Sequence, residues 1–101
     1  VTIGEGCLIA SQTGISGSVT IGRGVVMGGR VGVADHVEIG DGAMFGAMSG
    51  VSKSLEGGKV YLDAPAVDIS EARRRLAVYS RLPEIARRLA SVERKLEENE
   101  T

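Results

Sequence analysis

Large side chains are scarce in this chain: its 101 residues include no Trp, one Phe and two Tyr, against 15 Gly. A core of interlocking aromatics is thereby excluded, and a core of small and branched residues needs a repetitive fold. Cysteine is nearly missing too. Cys7, alone between Gly6 and Leu8, allows no internal disulfide and no multi-cysteine zinc site, and reads as an ordinary buried thiol in a reducing compartment. With a single histidine, His36, a three-histidine zinc site cannot be built within one chain. Neither sign of charge dominates, with 12 Lys and Arg against 13 Asp and Glu, so no extended polyanion-binding surface is forced and nucleic acid is not expected as a partner. No apolar run approaches the roughly 20 residues that span a bilayer, and no charged leader precedes an apolar stretch. The expectation is a cytoplasmic protein with no transmembrane segment or signal peptide.

What is present is a period. A large apolar residue recurs every six positions, at Ile3, Ile9, Ile15, Ile21, Met27, Val33, Ile39, Phe45 and Val51. The residue after each is Gly, Ala or Ser. Two positions before each lies a second small or β-branched set, from Val1, Cys7 and Thr13 through to Val37, Ala43 and Ser49. Polar residues and Gly gather at the remaining positions, as in Arg23-Gly24, Asp35-His36 and Asp41-Gly42. Each unit of six therefore supplies one short strand and one tight turn. Three units close a triangular coil, and the next coil stacks on it at about 4.8 Å. Residues 1–54 are expected to form about three coils of a hexapeptide-repeat β-helix, a mainly β fold, with the anchors filling the interior. The small residue beside each anchor lets the chain turn without a Cβ clash. An ordinary sandwich or a disordered Gly-rich segment does not explain nine anchors in unbroken register, and collagen has a different period and needs more than two prolines. The chain starts inside the pattern and its first coil has no cap, which predicts further coils upstream.

Past Val51 the register stops. Residues 55–67 read as an extended linker in which Lys59-Val60-Tyr61-Leu62 can run as a strand along the solenoid. Residues 68–98 read as a helical tail. Asp68-Ile69-Ser70-Glu71 forms a capping box in which Asp68 accepts the Glu71 amide and Glu71 reaches back, opening a helix over about 69–80. Pro83 suits the first turn of a second helix. There Leu82, Ile85, Leu89, Val92 and Leu96 alternate spacings of three and four, the seam of a coiled coil. Two heptads are too short to stand alone, so the seam either packs back on its own chain or meets symmetry mates, and a trimer is the preferred arrangement. The basic residues Arg73, Arg74, Arg75, Arg81, Arg87 and Arg88 either receive an acidic partner or form a solvated face.

Four stretches, Val1-Thr2-Ile3-Gly4-Glu5-Gly6, Gly14-Ile15-Ser16-Gly17-Ser18-Val19-Thr20-Ile21-Gly22, His36-Val37-Glu38-Ile39-Gly40-Asp41 and Arg81-Leu82-Pro83-Glu84, together with the Leu-rich terminal helix, resemble UDP-3-O-acylglucosamine N-acyltransferase of bacterial lipid A biosynthesis. The resemblance runs the whole length of the chain. It implies a homotrimeric left-handed parallel β-helix that moves a 3-hydroxyacyl chain from acyl carrier protein to the 2-amino group of a UDP-linked, 3-O-acylated glucosamine, without metal or cofactor. It places active sites between subunits. The family's general base lies in an Ile-Ala-His-Asn segment that would precede Val1, and its nucleotide-holding domain lies further upstream, so these 101 residues are expected to be inactive alone. Carried over by position, the Gly17 amide is an oxyanion donor and His36 an active-site histidine; without the resemblance, His36 is a surface residue capping a turn beside Asp35. Met44, Met48 and Gly50 would border the acyl chain, and Lys53 would meet a carrier-protein phosphate. Phe45 is an interior anchor by register. Where the family has a Gly-Tyr/Ile-Pro-Ala turn, this chain has Leu62-Asp63-Ala64-Pro65-Ala66-Val67. Two other functions use the same scaffold: a non-catalytic trimeric or carrier-binding module, and a coenzyme A-dependent sugar acetyltransferase.

Overall fold

Six residues per side leave room for a strand of only two, and the computed structural model, which describes residues 1–100, has nine of them in sequence: β1 (Thr2–Ile3), β2 (Leu8–Ile9), β3 (Gly14–Ile15), β4 (Thr20–Ile21), β5 (Val26–Met27), β6 (Gly32–Val33), β7 (Glu38–Ile39), β8 (Met44–Phe45) and β9 (Gly50–Val51). Each of β1 to β6 pairs in parallel with the strand one coil on, Thr2 opposite Thr20, Leu8 opposite Val26 and Gly14 opposite Gly32. Three sheets result: a first face of β1, β4 and β7, a second containing β2, β5 and β8, and a third of β3, β6 and β9. The chain is a parallel β-solenoid of about three turns, mainly β, with two helices at its end.

Alternation within each short strand turns the anchor and the residue two before it inward. From the second coil on, both sets are buried, Val19 with Ile21, Val25 with Met27, Val31 with Val33, Val37 with Ile39 and Ala43 with Phe45. Each such Val, Ile, Met or Phe contributes about 1.5–3 kcal/mol by leaving water. Ser49, the polar member of the set, is buried with its hydroxyl donating to the Gly46 carbonyl at 2.7 Å. The small residue after each anchor is needed for stacking as well as for the turn. A Cβ on Gly22 would lie 2.7 Å from the Asp41 nitrogen, and one on Gly28 would lie 2.7 Å from the Ala47 nitrogen, so in both cases the clash is with the backbone of the next coil.

The inward column does not end at Val51. The chain drops two residues at the next corner, Leu55 bridges to Ile39, and the step of six then resumes at Tyr61, which pairs with Phe45. The two rings stack with centroids 5.2 Å apart and planes 18° from parallel. Tyr61 belongs to β10 (Val60–Leu62), which extends the second face, and β11 (Val67–Asp68) returns antiparallel beside it. Between them the peptide Ala64-Pro65 is cis, and the Ala66 amide donates to the Gly50 carbonyl at 2.7 Å, laying this turn across the end of the third face.

Helix α1 (Ile69–Tyr79) follows directly and packs Ala72, fully buried, toward β10. Its cap departs from the expected box. The Asp68 carboxylate accepts the Ser70 amide at 3.0 Å and the Ser70 hydroxyl at 2.8 Å, while Glu71 turns away to Arg75 at 2.9 Å, because a cation one turn along offers it a stronger partner than the cap backbone. Helix α2 (Leu82–Glu100) carries Pro83 in its first turn and has no buried residue. The molecule is 67 Å long and 23 by 20 Å across. Among the described residues no helix is long and apolar enough to cross a membrane.

Candidate functional site

Stacking aligns residues eighteen apart, so each corner of the triangle is a column. Every sixth residue from Gly6 to Met48 has a left-handed backbone, with φ between 58° and 73°. The corner joining the first and second faces uses glycine for this at Gly6, Gly24 and Gly42. The other two corners do not. One carries Gln12, Arg30 and Met48, and the other carries Ser18 and His36. Side chains are therefore displayed at two corners where the backbone favours glycine.

At the second of those corners Gly17 and His36 meet. The His36 amide donates to the Gly17 carbonyl at 3.1 Å, one coil above, and a Cβ on Gly17 would touch nothing within 4 Å, so the position is open on its outer side. The imidazole is exposed, with Nδ1 3.1 Å from the Asp35 carboxylate. A coil below, the Ser54 hydroxyl accepts the Glu38 amide at 2.9 Å, which brings Lys53 to the same edge. Gly17 and His36 thus come together although no local motif joins them, and Lys53 precedes the residue that bonds the next coil along the same edge.

The other three expected residues divide. Gly50 lies on the third face, whose outward positions are Gly14, Gly32 and Gly50 in register, a floor of bare backbone. That floor runs from the His36 corner to the Met48 corner, so Met48 flanks it. Met44 is elsewhere: it projects from the second face in a ladder with Leu8, Val26 and Val60, of which Leu8, Met44 and Val60 are exposed. Phe45 is buried, as its register requires.

Below the Lys53 edge is an open hollow of about 410 Å³ between the last coil and the start of α1, bordered by Lys53, Lys59, Tyr61, Asp68 and Glu71. Three of these groups have displaced titrations, each for a local reason. Hydrogen bonding and charge pairing with Glu56 raise Lys59. Burial raises Tyr61, whose hydroxyl donates to the Glu56 carbonyl at 2.7 Å. The Ser70 amide and hydroxyl hold Asp68 below the usual carboxylate range. The interactions behind these shifts all lie within residues 56–70, and none of the shifts makes a proton acceptor for neutral pH. Nothing local in the sequence signals this hollow, because the two-residue contraction before Leu55 hides the continuing step of six from Leu55 to Tyr61. Among the described residues no three His, Cys, Asp or Glu side chains converge as a metal site.

Compared with models of known protein families and with curated proteins, the chain matches none.

Proposed function

We propose that this chain is the carboxy-terminal part of an N-acyltransferase similar to UDP-3-O-acylglucosamine N-acyltransferase, a left-handed β-helix working as a cytoplasmic homotrimer. The observation that supports this reading is the shared corner of Gly17 and His36, joined backbone to backbone at 3.1 Å and open to solvent. In the reaction the 2-amino group of the UDP-sugar attacks the thioester carbonyl of 3-hydroxyacyl carrier protein. A C–N bond forms, the C–S bond breaks, and the carrier thiol leaves. The amine must lose a proton and the developing oxyanion must meet fixed N–H dipoles. On this reading the Gly17 amide is the oxyanion donor, His36 lies beside the reacting groups with its ring oriented by Asp35, and Lys53 meets the carrier's phosphate. Met48 and Gly50 border the acyl chain along the glycine floor. Met44 has that role only if a neighbouring subunit brings its second face to the site. The general base belongs to a segment preceding Val1.

A non-catalytic carrier-binding scaffold is the second reading, favoured by the exposure of His36, whose side chain is 76 % accessible with Nδ1 3.1 Å from the Asp35 carboxylate. Binding separates the possibilities. The chain is titrated with 3-hydroxyacyl carrier protein, unacylated carrier protein and coenzyme A. The acyltransferase reading expects saturable binding tightest for the acylated carrier and weakened several-fold by Lys53→Glu, with no amide formed by these residues alone. Equal binding of both carrier forms favours the scaffold. Tighter binding of coenzyme A overturns both readings in favour of a sugar acetyltransferase, and amide formation by the chain alone overturns the placement of the base.

A further inference from the structure

One corner of the solenoid carries a hydrogen-bond donor and an acceptor that the fold does not consume. On the first coil, the Gly17 N–H donates to no backbone carbonyl among the described residues, and a Cβ on Gly17 would meet nothing within 4 Å, so its outer side is clear. On the next coil, tied to the Gly17 carbonyl through its own amide at 3.1 Å, stands the only imidazole of the chain, that of His36. The ring is kept there against its backbone, whose φ of 58° favours glycine.

Asp35 decides which ring nitrogen is free. A carboxylate accepts hydrogen bonds and donates none, so the 3.1 Å contact between its Oδ2 and Nδ1 puts the proton of the neutral ring on Nδ1. Nε2 keeps its lone pair, on the edge of the ring away from Asp35. General-base catalysis is one use for such a lone pair, but the proposed reaction has its base in a segment preceding Val1. An N–H donor and a nitrogen acceptor on successive coils of one corner fit a ligand with a carbonyl oxygen and a hydroxyl close together. A 3-hydroxyacyl thioester has both, separated by one methylene. Its carbonyl oxygen takes the Gly17 N–H while its hydroxyl donates to Nε2. An unhydroxylated chain leaves Nε2 without that partner.

We infer that His36 recognises the 3-hydroxyl of the acyl chain through a hydrogen bond accepted at Nε2, and that Asp35 is the positioning residue that keeps this nitrogen unprotonated. This rests on the proposed acyl transfer and adds to it the group that tells a hydroxylated chain from a plain one. Because the corner is open to water, the preference is that of a single net hydrogen bond, about two- to tenfold in affinity.

Calorimetric titration of the full chain tests it, with 3-hydroxyacyl carrier protein set against carrier protein bearing an unhydroxylated chain of the same length. The hydroxylated form is expected to bind about two- to tenfold tighter. In His36→Asn, which tolerates the left-handed corner but has no ring nitrogen, and in Asp35→Ala, the ratio is expected to fall to about one. Asp35→Asn keeps a side-chain oxygen to accept the Nδ1 proton and is expected to keep the preference. Nitrogen NMR of the neutral imidazole is expected to show the proton on Nδ1 in wild type and Asp35→Asn, and no longer held there in Asp35→Ala. The wild-type Nε2 signal is expected to move on adding the hydroxylated carrier and not the plain one. Equal binding of the two forms by wild type, or an unmoved Nε2 signal, overturns this inference and leaves the acyl-transfer reading standing. A preference that survives His36→Asn in a chain folded by circular dichroism also overturns it, and if Asp35→Ala abolishes that preference the hydroxyl binds the carboxylate itself. An Asp35→Ala chain that keeps both tautomer and preference overturns the positioning role. Binding of neither form removes the acyl-transfer reading and this inference with it.

Discussion

His36 makes opposite demands on its backbone and its side chain. Its φ of 58° lies in the left-handed region, which costs an ordinary L-residue about 1–2 kcal/mol and a β-branched one most. Glycine solves the same problem at Gly24 and Gly42, so a histidine here keeps a ring at the corner at some expense in stability. Replacing it should therefore follow backbone chemistry. His36→Val is expected to lower the urea midpoint by the equivalent of about 1–2 kcal/mol. His36→Gly is expected to stay within about 1 kcal/mol of wild type, because relief of strain is offset by the freedom glycine gains when unfolded. A His36→Val protein as stable as wild type would show that the corner does not hold the left-handed conformation in solution. The anchors and corners were legible in the sequence because the period of six reports them directly. That Gln12, Arg30 and Met48 turn left-handed was not, since none of the three is a residue type that advertises positive φ. The meeting of Gly17 with His36 was legible only once the coil length was known, because three units stack His36 on Ser18 and the His36 amide then reaches the carbonyl of the residue before it, with no local motif involved.

At the scale of elements, the stretch after Val51 shows where a periodic reading loses its hold. Dropping two residues before Leu55 shifts the register without ending it, so the strand at Val60–Leu62 is foreseeable from its alternation while its place against β8 is not. The cap of α1 is similar: Asp68 was legible as the capping residue, but its choice of Ser70 over Glu71 depends on Arg75 drawing Glu71 away. Tyr61 joins these parts, stacked on Phe45 and hydrogen-bonded to the Glu56 carbonyl. Burial raises its pKa above the ordinary 10.0, so the folded state binds the phenol proton more tightly than the unfolded state does. The stabilisation is complete below pH 10 and is lost as pH rises through the folded value. Lys59, raised by Glu56, loses its contribution in the same direction. Tyr61→Phe keeps Lys59 and removes the phenol. It is expected to cost about 1 kcal/mol at neutral pH through the lost hydrogen bond, and to show a shallower fall in stability above pH 10 than wild type. Parallel stability curves for the two proteins between pH 9 and 11.5 would mean that Tyr61 is not buried as a neutral phenol.

Over the whole molecule, the first coil is packed less completely than the two that follow while its hydrogen bonding is the same. Ile3 is 46 % exposed, but Ile21 and Ile39, one and two coils further on the same face, are 1 % and 3 % exposed. The bonds between coils are alike: Leu8 and Gly14 donate to Val25 and Val31 at 2.9 Å, and Val26 and Gly32 donate to Ala43 and Ser49 at 3.0 Å. In a stack whose stability resides in contacts between neighbouring coils, a coil covered on one side opens more readily than one covered on both. The amides of Leu8 and Gly14 should accordingly exchange with deuterium faster than those of Val26 and Gly32. The incompletely covered Ile3 and Ile9 forfeit part of the roughly 1.5–3 kcal/mol that each would gain on full burial, which corresponds to about tenfold or more in exchange rate. Because the bond lengths match, such a difference would come from side-chain packing alone. Equal protection in the first and second coils would mean that the solenoid opens only as a single unit, with the covered interior holding the uncovered coil in place through the ladder of backbone bonds.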